Sequence, residues 1–303
     1  MNALSFLELP APVYADYVLE AKLAWRRQGL RTALLTVVSM DGASPRPLGS
    51  QLAVAEDGQS VGAITGGCAE PAMVRDALKA MAKDRNHIEL YGKGSRYKDI
   101  TLPCGSGIEV YFDVSLATPT LEKFVAAHAR REVTHYSCDA VFEKTYLPKR
   151  RVVIAGRGHI VPALAQTAKL SECDTVVYCP DIATRQQCAP FARVEPLVST
   201  DGLAPSLFDP WTAFVSLFHE HDFEPDILNS VLRSPAFYIG ALGSRRTHTK
   251  RLDVLQGSGW TPETLDRIRG PVGLNIGAKT PPEIAVSIIG DIIGTWRTTY
   301  SAV

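Results

Sequence analysis

The chain has 303 residues, more than one ordinary hydrophobic core takes up, so about two domains are expected. Lys plus Arg and Asp plus Glu both number 32, and a net charge of zero gives no overall electrostatic footprint for nucleic acid or a membrane surface, local basic patches aside. No apolar run reaches the ~18 residues of a membrane span, and six cysteines with neither a Cys-x-x-Cys pair nor a secretory leader read as reduced thiols of a cytoplasmic protein.

Residues 12–28 carry apolar positions at Val13, Tyr17, Leu19, Leu23 and Ala24, the pattern of an amphipathic opening helix that Gly29 closes. Ala33 to Val38 reads as a buried strand. Ser44-Pro45-Arg46-Pro47-Leu48-Gly49 is a rigid turn whose prolines present Arg46. Gln51–Ala55 and Ser60–Ile64 form a hairpin around Asp57-Gly58. That hairpin delivers the chain to Thr65-Gly66-Gly67-Cys68-Ala69-Glu70-Pro71, which precedes a helical pattern from Ala72 to about Ala82. A strand at 87–91, a basic glycine loop at 92–96, the run Leu102-Pro103-Cys104-Gly105-Ser106-Gly107 and a strand at 108–114 complete the first half. Residues 118–150 read as a connector that starts with a helix to about Arg131. The expected division is therefore 1–117, a connector at 118–150, and 151–303.

The second half opens with the strand–turn–helix run from Arg151 to Val161, with Pro162 to Leu170 helical. Strands at 175–178, 193–198, 213–218 and 237–242 alternate with helical patterns. The fold class that follows is α/β: an N-terminal α+β domain, then a Rossmann-like, doubly wound parallel sheet. Thr280-Pro281-Pro282-Glu283 is a capping box for a helix running to about Trp296.

Five stretches are candidates for chemistry. Cys68 sits between two glycines and a helix start, where unpaired N–H groups favour an anion or a thiolate. The competing reading is an inert buried thiol at a tight turn. Cys104 occupies a similar glycine-flanked place, with Gly105 and Gly107 beside it. Gly156 and Gly158, followed by His159, match the start of a dinucleotide fingerprint, but Val161 stands at its third position and Cys179 where an acidic residue belongs. Asp181, 25 residues after Gly156, would reach a ribose by a small shift. His219-Glu220-His221-Asp222 offers two imidazoles without an obvious third metal ligand, so a polar cleft wall is the better reading. Gly243-Ser244-Arg245-Arg246, at a strand-to-helix transition, reads as an anion site, the competing reading being a solvated basic helix start.

Taken together, these residues resemble the XdhC/CoxI family, accessory proteins of xanthine dehydrogenase and related molybdenum hydroxylases. The resemblance rests on Gly42 to Gly49, on Gly66-Gly67-Cys68 with Glu70, and on Cys104 to Gly107 in the first half. In the second it rests on Gly156 to His159, Tyr238 to Arg246, and Gly273 to Ser287 with Asn275 where Asp is common. It implies binding of molybdenum cofactor (molybdopterin), its protection during sulfuration, and its insertion into an apo molybdenum hydroxylase. It further implies a homodimer and a cysteine desulfurase or sulfurtransferase as partner. Cys68, as candidate molybdenum ligand, and Cys104 would sit at the metal–sulfur end, with Arg46 and Arg245 as anion clamps and Glu70 among the cofactor-binding residues. The rival class is an oxidoreductase using NAD(P) in the Rossmann-like half; a docking scaffold is the third reading.

Overall fold

The computed structural model describes residues 14–42, 46–97, 102, 105–199, 203–218 and 224–300. Cys104 and the segment His219 to Asp222 lie outside the described residues, as do Val13, Ser44, Pro45 and Pro103. The chain divides into two compact units, Met1–Pro148 and Lys149–Val303.

The first unit is built on an antiparallel sheet. Its strands are β1 (Thr32–Asp41), β2 (Gln51–Ala55), β3 (Ser60–Gly62), β4 (His87–Gly92) and β5 (Gly107–Asp113), in the order β3-β2-β1-β5-β4. Both faces of this sheet are covered, so β1 reads as a continuous apolar run and not as an alternating one. Ala33, Leu35 and Val37 pack under helix α2 (Glu70–Lys83), against Met73, Ala77 and Met81. Leu34 and Val38 point the other way, toward Leu19 and Leu23 of helix α1 (Leu19–Arg27). Residues expected as a connector fold within this same unit. Helix α3 (Thr118–Ala129) lies against α1, and β6 (Thr134–Cys138) with β7 (Phe142–Tyr146) forms a hairpin that adds Tyr136 and Tyr146 to the second cluster.

The second unit holds six parallel strands: β8 (Arg151–Gly156), β9 (Asp174–Cys179), β10 (Arg193–Pro196), β11 (Thr212–Leu217), β12 (Tyr238–Ala241) and β13 (Ile268–Arg269). Their spatial order is β10-β9-β8-β11-β12-β13. Counted from the first strand of the unit this is 3-2-1-4-5-6, the dinucleotide-fold order, and the chain reverses direction across the sheet between β8 and β11. One face buries Val152 and Ile154 against α4 (Ile160–Leu170), α5 (Ile182–Cys188) and α9 (Pro281–Thr299). The opposite face buries Val153, Ala155 and Phe214 against α6 (Glu224–Leu232) and α7 (Arg245–Gly257), and the short α8 (Pro262–Leu265) follows. The expected capping box is present: Thr280 and Glu283 exchange hydrogen bonds at the start of α9. No helix among the described residues is long and apolar enough to cross a membrane.

Candidate functional site

In the first unit β1 ends, β4 ends and β5 begins at one end of the sheet, since Gly107 pairs with both Asp41 and Gly92. β3 runs in the direction of β1, two antiparallel pairings away, so the chain leaves Gly62 toward that same end. The loops after β1, β3 and β4 therefore open together. They carry Arg46, Cys68 and Gly105.

Cys68 is exposed. The reading of an inert buried thiol does not describe it. Gly66 (φ +83°) and Gly67 (φ +116°) take the left-handed backbone that lets the loop fold back on itself. The other four described cysteines are buried, and burial pushes their thiols up: Cys138 and Cys188 to about 11, Cys179 to about 12. Cys173 is raised by the same cause.

The amides of the loop ahead of α2 are taken up by a side chain of the helix itself. Glu70 Oε1 accepts the N–H groups of Ile64, Thr65 and Gly66 at 3.0, 2.7 and 2.9 Å, and Oε2 accepts that of Gly67 at 2.9 Å. The Thr65 hydroxyl donates to Oε2 as well. Burial alone would raise the Glu70 carboxyl, but the hydrogen bonds from Thr65 and Ile64 outweigh it and hold it below its ordinary value. Glu70, expected to touch cofactor, is thus turned inward with 1% of its surface exposed.

The basic glycine loop is fastened to the same helix. Tyr97 and Tyr91 both donate to Asp76 Oδ2, at 2.5 and 2.8 Å, and their rings stack at 5.1 Å. Arg96 pairs with Glu89 at 2.7 Å. Gly107 is required by packing, because a Cβ there would stand 2.8 Å from the Lys93 carbonyl oxygen, while at Gly105 a Cβ would meet nothing within 4 Å. Arg46 is not simply held out for an anion: its guanidinium pairs with Asp16 at 2.6 Å and bonds the Tyr14 hydroxyl at 3.3 Å.

In the second unit a Cβ on Gly156 would lie 2.7 Å from Leu217 Cβ, so this glycine allows β8 and β11 to meet. Gly158 and His159 are exposed at the carboxyl edge of the sheet, and open space surrounds Gly158. Val161 is fully buried between α4 and the sheet, where the fingerprint would have a small residue. Asp181 does not present itself as a ribose anchor. Its Oδ1 caps α5 by accepting the Thr184 N–H at 2.8 Å, and its Oδ2 takes the Cys179 thiol hydrogen at 3.2 Å. Ser244 likewise caps α7 through the Thr247 N–H, with Gly243 packed on Thr247. Arg245 and Arg246, the first residues of α7, are exposed.

Two buried groups escaped the sequence reading. Arg251 and Glu224 pair at 3.0 Å with side chains 3% and 4% exposed. Arg251 also holds the Leu242 carbonyl at 2.6 Å, and Glu224 accepts the Ser216 hydroxyl at 2.6 Å. They tie the turn before Arg245 to α6 and β11. The other is Asp76. Both bind partners distant in sequence, which no local pattern signals. Among the described residues no group of three or more His, Cys, Asp or Glu is placed to hold a metal ion.

Comparison with known proteins bears on this arrangement. The family model described as the XdhC Rossmann domain matches residues 152–292, and that of the XdhC and CoxI family matches 25–92. The molybdenum cofactor insertion chaperone PaoD of Escherichia coli K12 is 32% identical over 285 residues, covering 87% of this chain and 83% of PaoD. A Bacillus subtilis protein named as a probable xanthine dehydrogenase subunit is 24% identical over 315 residues, covering 86% of this chain and 92% of its own length. The crystal structure of a Bacillus halodurans protein described as a xanthine dehydrogenase superposes with a TM-score of 0.74 at 22% identity. It covers 92% of this chain and 96% of that one, and shows a shared fold. With both halves matched in order and a relative at 32% identity over most of its length, the chain belongs to the XdhC and CoxI family.

Proposed function

We propose that this chain binds molybdenum cofactor and delivers it to an apo molybdenum hydroxylase of the xanthine dehydrogenase type, as an insertion chaperone and not as a turnover enzyme. The observation that carries the reading is the exposed Cys68 thiol, held on an internally fastened loop where three loops of the first unit open together. The likeness to PaoD supports it. When bound, the cofactor supplies a metal–sulfur centre on a phosphorylated pterin. A thiolate is a soft ligand suited to that centre, and Cys68 provides one. Cys104 is the second candidate, with the open backbone at Gly105 beside it. The exposed Arg245 and Arg246, with Gly158 and His159, are the groups of the second unit suited to a phosphate.

A cysteine desulfurase or sulfurtransferase as sulfur donor, a homodimer, and a cytoplasmic setting that keeps the thiols reduced belong to this same reading. The NAD(P) alternative is not favoured, since Asp181 is engaged in capping its own helix. The test is transfer. Protein purified anaerobically with its cofactor is mixed with an apo-hydroxylase. Molybdenum is expected to leave the chain and hydroxylase activity to appear; a hydroxylase that stays inactive while the chain keeps its metal overturns the delivery role.

A further inference from the structure

The loop before α2 is wrapped around a carboxylate of its own. Four consecutive amides, Ile64 to Gly67, and the Thr65 hydroxyl all point at Glu70. Such a cradle is what a backbone nest ordinarily offers to a phosphate. A capping box would place its Glu at the third helical position, reaching back to the N-cap amide. Glu70 is instead the first residue of α2 and reaches the amides that precede Cys68. Its hydrogen bonds therefore order the loop more than the helix. Thr65 links the two, since its Oγ1 also accepts the Ala69 N–H at 3.0 Å.

We infer that Glu70 is the positioning residue of the Cys68 thiol: a built-in anion that orders residues 64–67, holds the thiol outward and keeps a second anion out of the loop. For its bearing on cofactor this rests on the delivery reading; the ordering of the loop stands without it. Burial alternates around the carboxylate in a way that fits. Ile64, Thr65, Ala69 and Glu70 are buried, while Gly66, Gly67 and Cys68 form the exposed outer turn. Cys68 follows the last fastened amide directly, so little beyond its own χ1 rotation is left to place the sulfur. A phosphate brought to these amides would meet a carboxylate already in the cradle, and two anions there repel. The loop would thereby disfavour the phosphate end of a phosphorylated pterin and leave Cys68 to the metal–sulfur end.

The test removes the anion from the full chain and supplies it back. Glu70→Ala keeps Cβ, and the atoms lost, Cγ and the carboxyl group, are those of acetate. Hydrogen exchange of the amides at 64–67 is expected to quicken at least tenfold in Glu70→Ala, the order expected from losing bonds to a charged acceptor. Acetate is expected to slow it again; acetamide, and chloride at equal ionic strength, are not. Molybdenum retained through anaerobic purification is expected to fall at least tenfold in the variant and to recover when acetate is present throughout. Wild-type amide protection in Glu70→Ala overturns the inference. Rescue by acetamide equal to that by acetate overturns it too, since cavity filling and not charge would then be at work. Protection lost with molybdenum retention unchanged overturns the positioning of the thiol. A wild-type protein that holds no molybdenum sinks the delivery reading, while the exchange and acetate arms still decide the loop. If Glu70→Ala is recovered unfolded, Glu70→Gln, which keeps the side-chain size and puts an NH2 among the donors, carries the exchange and molybdenum measurements without the acetate arm; unaltered protection there overturns the ordering role.

Discussion

Replacing Arg251 by leucine is expected to destabilise the second unit by about 3–5 kcal/mol, the cost of breaking a buried ion pair from one side. Glu224 would be left with its charge inside, since its side chain is 4% exposed and only the Ser216 hydroxyl would remain as a partner shown for it. The Leu242 carbonyl would lose its donor at the same time. Replacing Glu224 by glutamine in that background removes the stranded charge and is expected to return part of the loss. Denaturant unfolding read by hydrogen exchange in β11 and β12 measures both. A cost below about 1 kcal/mol for Arg251→Leu, the range of an exposed pair, would contradict this account of the pair. The turn that Arg251 holds leads directly into Ser244, Arg245 and Arg246, so the variant is also expected to loosen the start of α7.

The second large effect concerns Lys22. It is fully buried on α1, and among the described residues its amine bonds the Thr32 hydroxyl at 2.8 Å and the Thr32 carbonyl at 3.2 Å. Burial, with the Arg26 charge second and Asp113 opposing, pushes the amine down to about 7 from an ordinary 10.5. The unfolded chain then carries a proton that the folded chain lacks between those two values. Stability therefore rises with pH through this window, at up to about 1.4 kcal/mol per pH unit from this one group, and levels off on either side. Buried tyrosines act in the opposite sense. Burial raises Tyr17, Tyr91, Tyr136 and Tyr146, so the unfolded state is favoured as pH climbs past the ordinary tyrosine value. The measurement is confined to pH 7–9.5, as an order-of-magnitude window between the two effects. Over it, the unfolding midpoint of the wild type is expected to rise relative to that of Lys22→Met, which has no amine to deprotonate. Parallel curves for the two proteins would show that Lys22 stays charged inside the fold.

Much of this fold is legible wherever a local signal decides the structure. Asp57-Gly58 marks the hairpin of β2 and β3, and Thr280 with Glu283 marks the start of α9. The glycine turn after β8 identifies the parallel sheet even though Val161 replaces a small residue. The β6–β7 hairpin is hidden because its turn uses Asp139 (φ 46°) and Ala140 (φ 60°) at positive φ, with no glycine to announce it. At the candidate site, residue types are readable and pairings are not. Glu70 stands in the motif, but its partners become visible only when Gly66 and Gly67 curl the loop around it. Asp181 looks like a ribose anchor by spacing alone, whereas its local geometry makes it a helix cap. Lys22 falls on a helix that reads as amphipathic, and only the sheet packed over it buries the amine.

The central claim is that the first unit holds cofactor through the exposed thiol of Cys68. Its most direct test is the molybdenum and pterin content of wild-type and Cys68→Ser protein, each purified anaerobically from cells that make the cofactor. The substitution removes an exposed sulfur and no packing contact of the core, so folding is expected to be unchanged. The expected result is cofactor in the wild type and its loss, by tenfold or more, in the variant. Equal molybdenum in the two proteins would contradict the account.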